Sequence, residues 1–167
     1  MKKKVIKVRL DPKSIEDAIT ELQMYKEELE RRVRLLVETL TDRGADIARA
    51  KVVEMDAVYS GELLSSINSY LFAFGGNPVG FIRVNADYGM FVEFGTGIVG
   101  ENSPHHPAQG AFDWEYDVND HGELGWWYPG DDGQLHWTKG QPSRPFMYET
   151  AQQLKREFPK IVQEVFK

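Results

Sequence analysis

The stretch DYGMFVEFGTG, residues 87–97, decides how this chain is organised. It places four large apolar side chains and three glycines within eleven residues. We predict a short helix capped by Asp87 and ending at Phe94, because the glycines that follow can adopt the positive φ used at helix ends. The structural residues of this segment would be Tyr88, Phe91, Glu93, Phe94, Gly95 and Gly97. Residues before it follow regular helix and strand patterns, whereas residues 98–141 after it do not.

A long amphipathic helix is predicted upstream, over residues 14–53. Ser14 is a suitable N-cap, and apolar residues then recur at spacings of three and four. The apolar stripe comprises Ile15, Ile19, Leu22, Leu29, Val33, Leu36, Leu40, Ile47 and Ala48. Its simplest interpretation is packing against the core or a partner helix, with a bend possible at Gly44.

Two further patterns upstream of the stretch indicate β-structure. Residues 5–10 alternate between apolar and basic side chains, which predicts a short edge strand. Residues 66–74 and 79–84 are rich in aromatic and β-branched residues and flank a Gly-Gly-Asn-Pro turn. They predict a β-hairpin with Tyr70, Phe72 and Phe74 on one side.

Residues 98–141 contain all four tryptophans and all four histidines of the chain. Trp126-Trp127-Tyr128 and the segment ending at Trp137 flank a polar turn, which predicts a second hairpin. After it, Arg144-Pro145-Phe146 leads into an amphipathic helix, which Pro159 should bend or break. The predicted fold is α+β, a single domain over residues 1–167. A long N-terminal and a C-terminal helix pack on a small antiparallel sheet, with residues 98–141 as an aromatic-rich insertion.

Composition limits the possible functions. The chain has 167 residues and a net charge of −6. It has no cysteine, which excludes disulfides and thiolate chemistry. Residues 59–143 hold 11 acidic and 2 basic side chains, so they would repel phosphate, and we expect no specific nucleic-acid binding. No apolar run has the length of a membrane helix or of a signal-peptide core, so we expect a soluble protein without membrane contact.

The sequence offers four candidate sites, of which the first two are a glycine motif and the histidine-rich segment. Residues 95–100 match G-x-G-x-x-G, but a dinucleotide site needs a buried strand before this motif and a helix after it. The histidines could form a metal site for a hydrolase, although their spacing is not that of a helical ligand pair. Its members would be His105, His106, His121, His136, Asp113, Asp117, Asp120 and Asp131. Surface or turn histidines are the simpler explanation, and no cofactor, metal or catalytic residue is predicted.

Glu93 and the tryptophans are the remaining candidates. A buried Glu93 would need a partner, and Arg83 or Arg144 could form an ion pair with it. The aromatic side chains could anchor a protein partner, stack on sugars in a carbohydrate-binding module, or form a small core of their own. The candidate contact residues are Trp114, Trp126, Trp127, Tyr128 and Trp137.

Three motifs in order carry a family resemblance: Ser60-Gly61-Glu62-Leu63 with Ser66-Ile67, residues 87–97, and Arg144-Pro145-Phe146-Met147 before the last helix. This order resembles the tailed-bacteriophage minor structural proteins of head–tail joining or tail completion. The sequence departs from them at residues 59–61, where a Thr-Gly pair is more usual, and in the longer insertion.

The resemblance implies a non-enzymatic virion component of the neck or tail, made in the cytoplasm of the bacterial host. It also implies a homo-oligomeric ring that contacts the phage connector and the tail-tube or tail-terminator proteins.

Overall fold

A computed structural model describes residues 5–58, 61–117, 124–130 and 132–167. The chain begins with α1 (Pro12–Glu54) and α2 (Glu62–Ser66), followed by β1 (Ile67–Phe74) and β2 (Asn77–Val84). Two short helices come next, α3 (Gly89–Phe94) and α4 (Gly97–Glu101), and then a 3₁₀ turn at Gln109–Ala111. The chain ends with β3 (Trp126–Pro129), β4 (Leu135–Thr138) and α5 (Phe146–Val165). The predicted α+β class is confirmed. That the chain forms a single domain stays a prediction.

Helix α1 spans 43 residues, and α2, β1, β2 and α5 contact it. The Asp11 side chain accepts the Ser14 amide proton at 3.0 Å, so Asp11 is the N-cap, and the prediction of Ser14 was three residues late. The buried residues of α1 are Ala18, Thr41, Gly44, Ala45, Ile47, Ala48 and Val52. All but one lie in its C-terminal third, so most of the N-terminal half of the predicted stripe is left exposed.

The first hairpin packs one face on α1. β1 and β2 pair antiparallel with Ile67 opposite Val84 and Phe74 opposite Asn77, joined by Gly75 and Gly76 at positive φ. Ile67 is fully buried on the inner face, where its carbonyl accepts a 2.6 Å bond from Arg49. The predicted hairpin is confirmed, with Asn77 and Pro78 inside the second strand rather than in the turn.

Helix α5 packs antiparallel along α1. The Arg43 side chain binds Glu157 at 2.8 Å, and Arg32 donates at 2.9 Å to the carbonyl oxygen of Lys167. The buried residues of α5 are Phe146, Thr150 and Ile161, whereas Phe158 of the predicted face is exposed.

The predicted strand at residues 5–10 was wrong, and so was a break of α5 at Pro159, whereas a bend there stays a prediction. Residues 5–10 form no strand, because a strand is stable only when it pairs with a neighbouring strand. Here Val5, Val8 and Leu10 are exposed, and no strand in the described part of the chain pairs with them. Helix α5 continues unbroken through Pro159. Pro159 and Lys155 both lie on the exposed side, so the carbonyl group that loses its helical partner can be hydrated.

Gly44 marks the place where α1, β2 and α5 meet. A Cβ atom there would collide with the Ile82 side chain and lie 2.8 Å from Cδ1 of Leu154. The glycine therefore permits close approach of three elements, and its place in a continuous helix is explained by packing.

We predict that Gly44→Leu lowers the free energy of unfolding by about 2–3 kcal/mol, because no space exists for the added side chain. Urea unfolding followed by circular dichroism measures the change. Gly110→Leu is the matched control, since a Cβ at Gly110 has no neighbour within 4 Å. Equal effects of the two substitutions would contradict the packing shown here.

The Arg43–Glu157 pair predicts an acid dependence of stability. Hydrogen bonds from Arg43 and then Gln153 lower the pKa of Glu157 from its ordinary 4.5 to about 2. A carboxyl whose pKa falls on folding stabilises the fold above pH 4.5, and this contribution is lost as the pH falls towards 2. Glu157→Gln and Arg43→Met should each flatten the decline of unfolding free energy between pH 4.5 and 2. A Glu157→Gln variant with the full parental decline would refute this.

Candidate interaction surfaces

Glu93 lies at the centre of the segment that joins the hairpin to the last helix. Only 6% of the residue is exposed, and its carboxylate accepts three hydrogen bonds. Two come from the backbone amides of Met147 and Tyr148, at 2.8 and 2.9 Å, and one from Nε2 of His106 at 3.0 Å. The two amides belong to the first turn of α5, where helical N–H groups have no partner of their own. Glu93 therefore caps α5 from a distant helix, at the positive end of its dipole.

His106 is held in one tautomer. Its Nδ1 atom accepts the Ala108 amide proton at 3.0 Å, so the ring proton lies on Nε2 and is donated to Glu93. The ring is 5% exposed and packs against Phe94 with centroids 4.3 Å apart. This histidine thus works as a structural donor that secures the insertion to α3.

Arg144 performs the opposite task at the end of α1. Its Nε atom donates to the carbonyl oxygen of Met55, the residue after α1, and its Nη1 atom to Gln141, both at 3.0 Å. A cation at a helix C-terminus is favoured by the dipole. The predicted ion pair of Glu93 with Arg83 or Arg144 was wrong, because helix-end groups and His106 satisfy the carboxylate instead.

The rest of the opening stretch differs in detail from its prediction. Tyr88, not Asp87, precedes α3, and it makes no side-chain capping bond. Val92 is buried, while Tyr88 and Phe91 are half-buried. Gly95 ends α3 with φ of 85°, as predicted. A Cβ atom at this position would lie 2.7 Å from the backbone nitrogen of Ser143, so only glycine fits.

The segment after α3 runs beside the residues that precede α5. Thr96 and Gln141 exchange backbone hydrogen bonds of 2.9 and 3.0 Å, and the Gly97 amide donates to the carbonyl of Tyr116 at 2.6 Å. A short helix, α4, begins inside the G-x-G-x-x-G match at Gly97 and ends at Glu101, and residues 102–107 after the match form no helix, as expected. The match is still preceded by helix α3 and not by a strand, which leaves it without the context of a dinucleotide site.

The aromatic residues of the insertion divide into two groups. Trp114 packs inward: it stacks on Phe94 at 5.0 Å, and its indole nitrogen donates to the carbonyl of Gly95 at 3.0 Å. Trp127 and Trp137 form a T-shaped pair at 5.4 Å on the second hairpin and are 60% and 48% exposed. Trp126 and Tyr128 are half-buried on the same hairpin. The hairpin is confirmed, and the role of these five residues in partner contacts stays a prediction.

The histidine-rich segment does not assemble as a metal site among the residues that the structure describes. His105 contacts the carbonyl oxygen of Glu101, His106 binds Glu93, and His136 binds Asp132. Asp113 and Asp117 join no such group. His121, Asp120 and Asp131 lie outside the described residues.

Two apolar faces that the sequence indicated are exposed in the structure. The outer face of the first hairpin carries a ring cluster in which Phe81 stacks on Tyr70 at 5.0 Å and meets Phe72 at 5.8 Å. All three rings and Phe74 are exposed. The second surface is the N-terminal part of α1, with Ile15, Ile19, Leu22, Tyr25 and Leu29 exposed. The alternation and helical spacing were visible in the sequence, but they do not tell which face the core leaves uncovered.

The α+β fold thus presents exposed aromatic surfaces on both hairpins. Such surfaces are typical of proteins that bind other proteins. The family model described as "Bacteriophage HK97-gp10, putative tail-component" matches residues 20–95, somewhat less than half of the chain. The matched part runs from α1 through the first hairpin to Gly95, and it confirms the resemblance to phage tail components. Comparison with curated proteins and with solved structures gave no match. In the described parts of the chain, no helix is long and apolar enough to cross a membrane.

We predict that Glu93→Ala lowers the free energy of unfolding by about 3 kcal/mol, because it leaves three buried donors without an acceptor. Chemical denaturation measures the loss. Glu115→Ala, at an exposed acid of the same aromatic segment, should change stability by less than about 0.5 kcal/mol. A Glu93→Ala protein as stable as that control would show that Glu93 does not hold α5.

Proposed function

We propose that this protein is a non-enzymatic structural component that acts in virion assembly at the phage head–tail junction, as a neck or tail-completion protein. The observation that carries the proposal is the match of residues 20–95 to a phage tail-component family. That match supports a phage structural role; the position at the junction is our inference from the ordered motifs at residues 60–67, 87–97 and 144–147.

The surfaces support a role in assembly. The first hairpin lies within the matched region and exposes a cluster of aromatic rings, while the second exposes Trp127 and Trp137. Aromatic side chains are frequent energetic anchors of protein interfaces. We propose a homo-oligomeric ring in the neck or tail that contacts the connector and the tail-tube or tail-terminator proteins.

The tryptophans of the second hairpin would then give this chain its own partner contacts. They follow Gly95 in sequence and so lie outside the matched region. The insertion that carries them is fastened to the framework through His106, Trp114 and Tyr116, which bond to Glu93, Gly95 and Gly97, respectively. A rigid attachment lowers the conformational entropy lost when such a surface binds.

The proposal is tested with purified protein, alone and mixed with the connector, tail-tube and tail-terminator proteins of the same phage. Size-exclusion chromatography with light scattering should show an oligomer and a complex with at least one of them. A strict monomer that binds none of the three would overturn the proposal.

The exposed tryptophan pair gives a sharper prediction. Replacing both Trp127 and Trp137 by Ser should weaken binding to whichever of these three phage proteins forms the complex. The loss should be at least about 30-fold, which corresponds to about 2 kcal/mol for a buried aromatic anchor. Phe158→Ser, at an exposed aromatic residue of α5, should leave the affinity unchanged. Equal affinities of the double variant and the parent, both with parental thermal stability, would remove the second hairpin from the interface.

A further inference from the structure

The N-terminal part of α1 extends past the elements that pack on the rest of this helix. Arg32 contacts the carbonyl groups of Val165 and Lys167, so the C-terminal end of α5 lies beside Arg32. Residues 12–31 of α1 extend beyond this end of α5, and at 1.5 Å per residue they cover about 30 Å. This projecting segment is helical and carries exposed apolar residues along one line, although isolated helices need a packed apolar face for most of their stability.

The exposed line has the spacing of a helix–helix seam. Ile15, Leu22 and Leu29 are each seven residues apart, which returns to the same side of a helix after two turns. Tyr25, which is also exposed, follows Leu22 by three residues, and Ala18, which is already buried in the single chain, follows Ile15 by three. In heptad notation the aliphatic residues are at a, and Ala18 and Tyr25 are at d. This arrangement is typical of a helix that pairs with a second helix over two heptads.

Charged residues beside the seam indicate which helix fits. Glu21 precedes Leu22 at position g, and Lys26 follows Tyr25 at position e. In a parallel pair, position g of one helix faces position e of the next heptad of the other, so Glu21 would face Lys26 twice by symmetry. In an antiparallel pair, g positions face one another, which would bring Glu21 against Glu21 or Glu28. The complementary charges therefore select the same segment of a second copy, in parallel orientation.

We infer that residues 15–29 of α1 pair in parallel, in register, with residues 15–29 of a second copy of this chain. Pairing ends at Arg32, the next d position, because that side chain binds Glu28 and the carbonyl groups at the end of α5. The inference concerns the isolated protein and does not depend on the proposed place in the virion. Loss of phage-partner binding would leave it intact.

Disulfide capture tests both pairing and direction, because the chain has no cysteine of its own. Ile15→Cys and Leu29→Cys are each expected to give a covalent dimer under mild oxidation, since equivalent a positions meet in a parallel pair. Glu27→Cys, exposed at the outer position f, is the matched control and should give much less. The inference is overturned if the seam variants yield no more dimer than Glu27→Cys. It is also overturned if dimer forms only when Ile15→Cys and Leu29→Cys proteins are mixed, which indicates antiparallel pairing.

Charge reversal provides an independent check without a covalent bond. Lys26→Glu or Glu21→Lys alone should raise the dissociation constant of the dimer by about three- to tenfold, measured by analytical ultracentrifugation. The double variant with both changes should return to the parental value, and Glu27→Lys should not alter it. A double variant that associates as weakly as the single ones would overturn the parallel arrangement.

Discussion

The structure depends on the burial of one carboxylate, that of Glu93. Removing a charged group from water is costly unless each acceptor site is filled, and here the donors come from two different parts of the chain. His106 brings the insertion to α3, and the first-turn amides of α5 bring the last helix to the same place. Arg144, just before α5, binds the carbonyl group of Met55 after α1. The Glu93 carboxylate thus lies at the N-terminal end of α5, and the Arg144 guanidinium lies at the C-terminal end of α1. The segment after the first hairpin, the insertion and α5 all meet at Glu93.

A second constraint is the close approach at Gly44. The absence of a side chain allows β2 and α5 to contact the same turn of α1. This packing confines the core to the C-terminal part of α1 and leaves the first 20 residues of that helix outside it. The exposed outer face of the first hairpin has the same origin, because a two-stranded sheet covered on one side by a helix must present its other side. These geometric consequences explain why so much apolar surface is available for partners.

The predictions from sequence failed where a local pattern depended on a distant neighbour. Residues 5–10 alternate like a strand, but alternation alone provides no partner for their backbone groups. The stripe from Ile15 to Leu29 has the spacing of a packed helix face, but α5 reaches only as far as Arg32. Pairing Glu93 with an arginine followed from charge alone. The amide donors of α5 are equally suitable and could not be located before the helix was placed.

The sequence by itself determined the types of element and most of their limits. Helical spacing, β-branched alternation and paired glycines act over a few residues, so the long helix, both hairpins and the turn at Gly95 could be predicted. The ordered motifs also indicated the phage family. Only the tertiary structure decided which faces are buried, which groups satisfy Glu93, and that Trp114 packs inward while Trp127 and Trp137 do not. These outcomes depend on contacts between residues well apart in the chain, from His106 with Glu93, 13 positions apart, to Met147 with Glu93, 54 positions apart. Such contacts leave no local pattern in a single sequence.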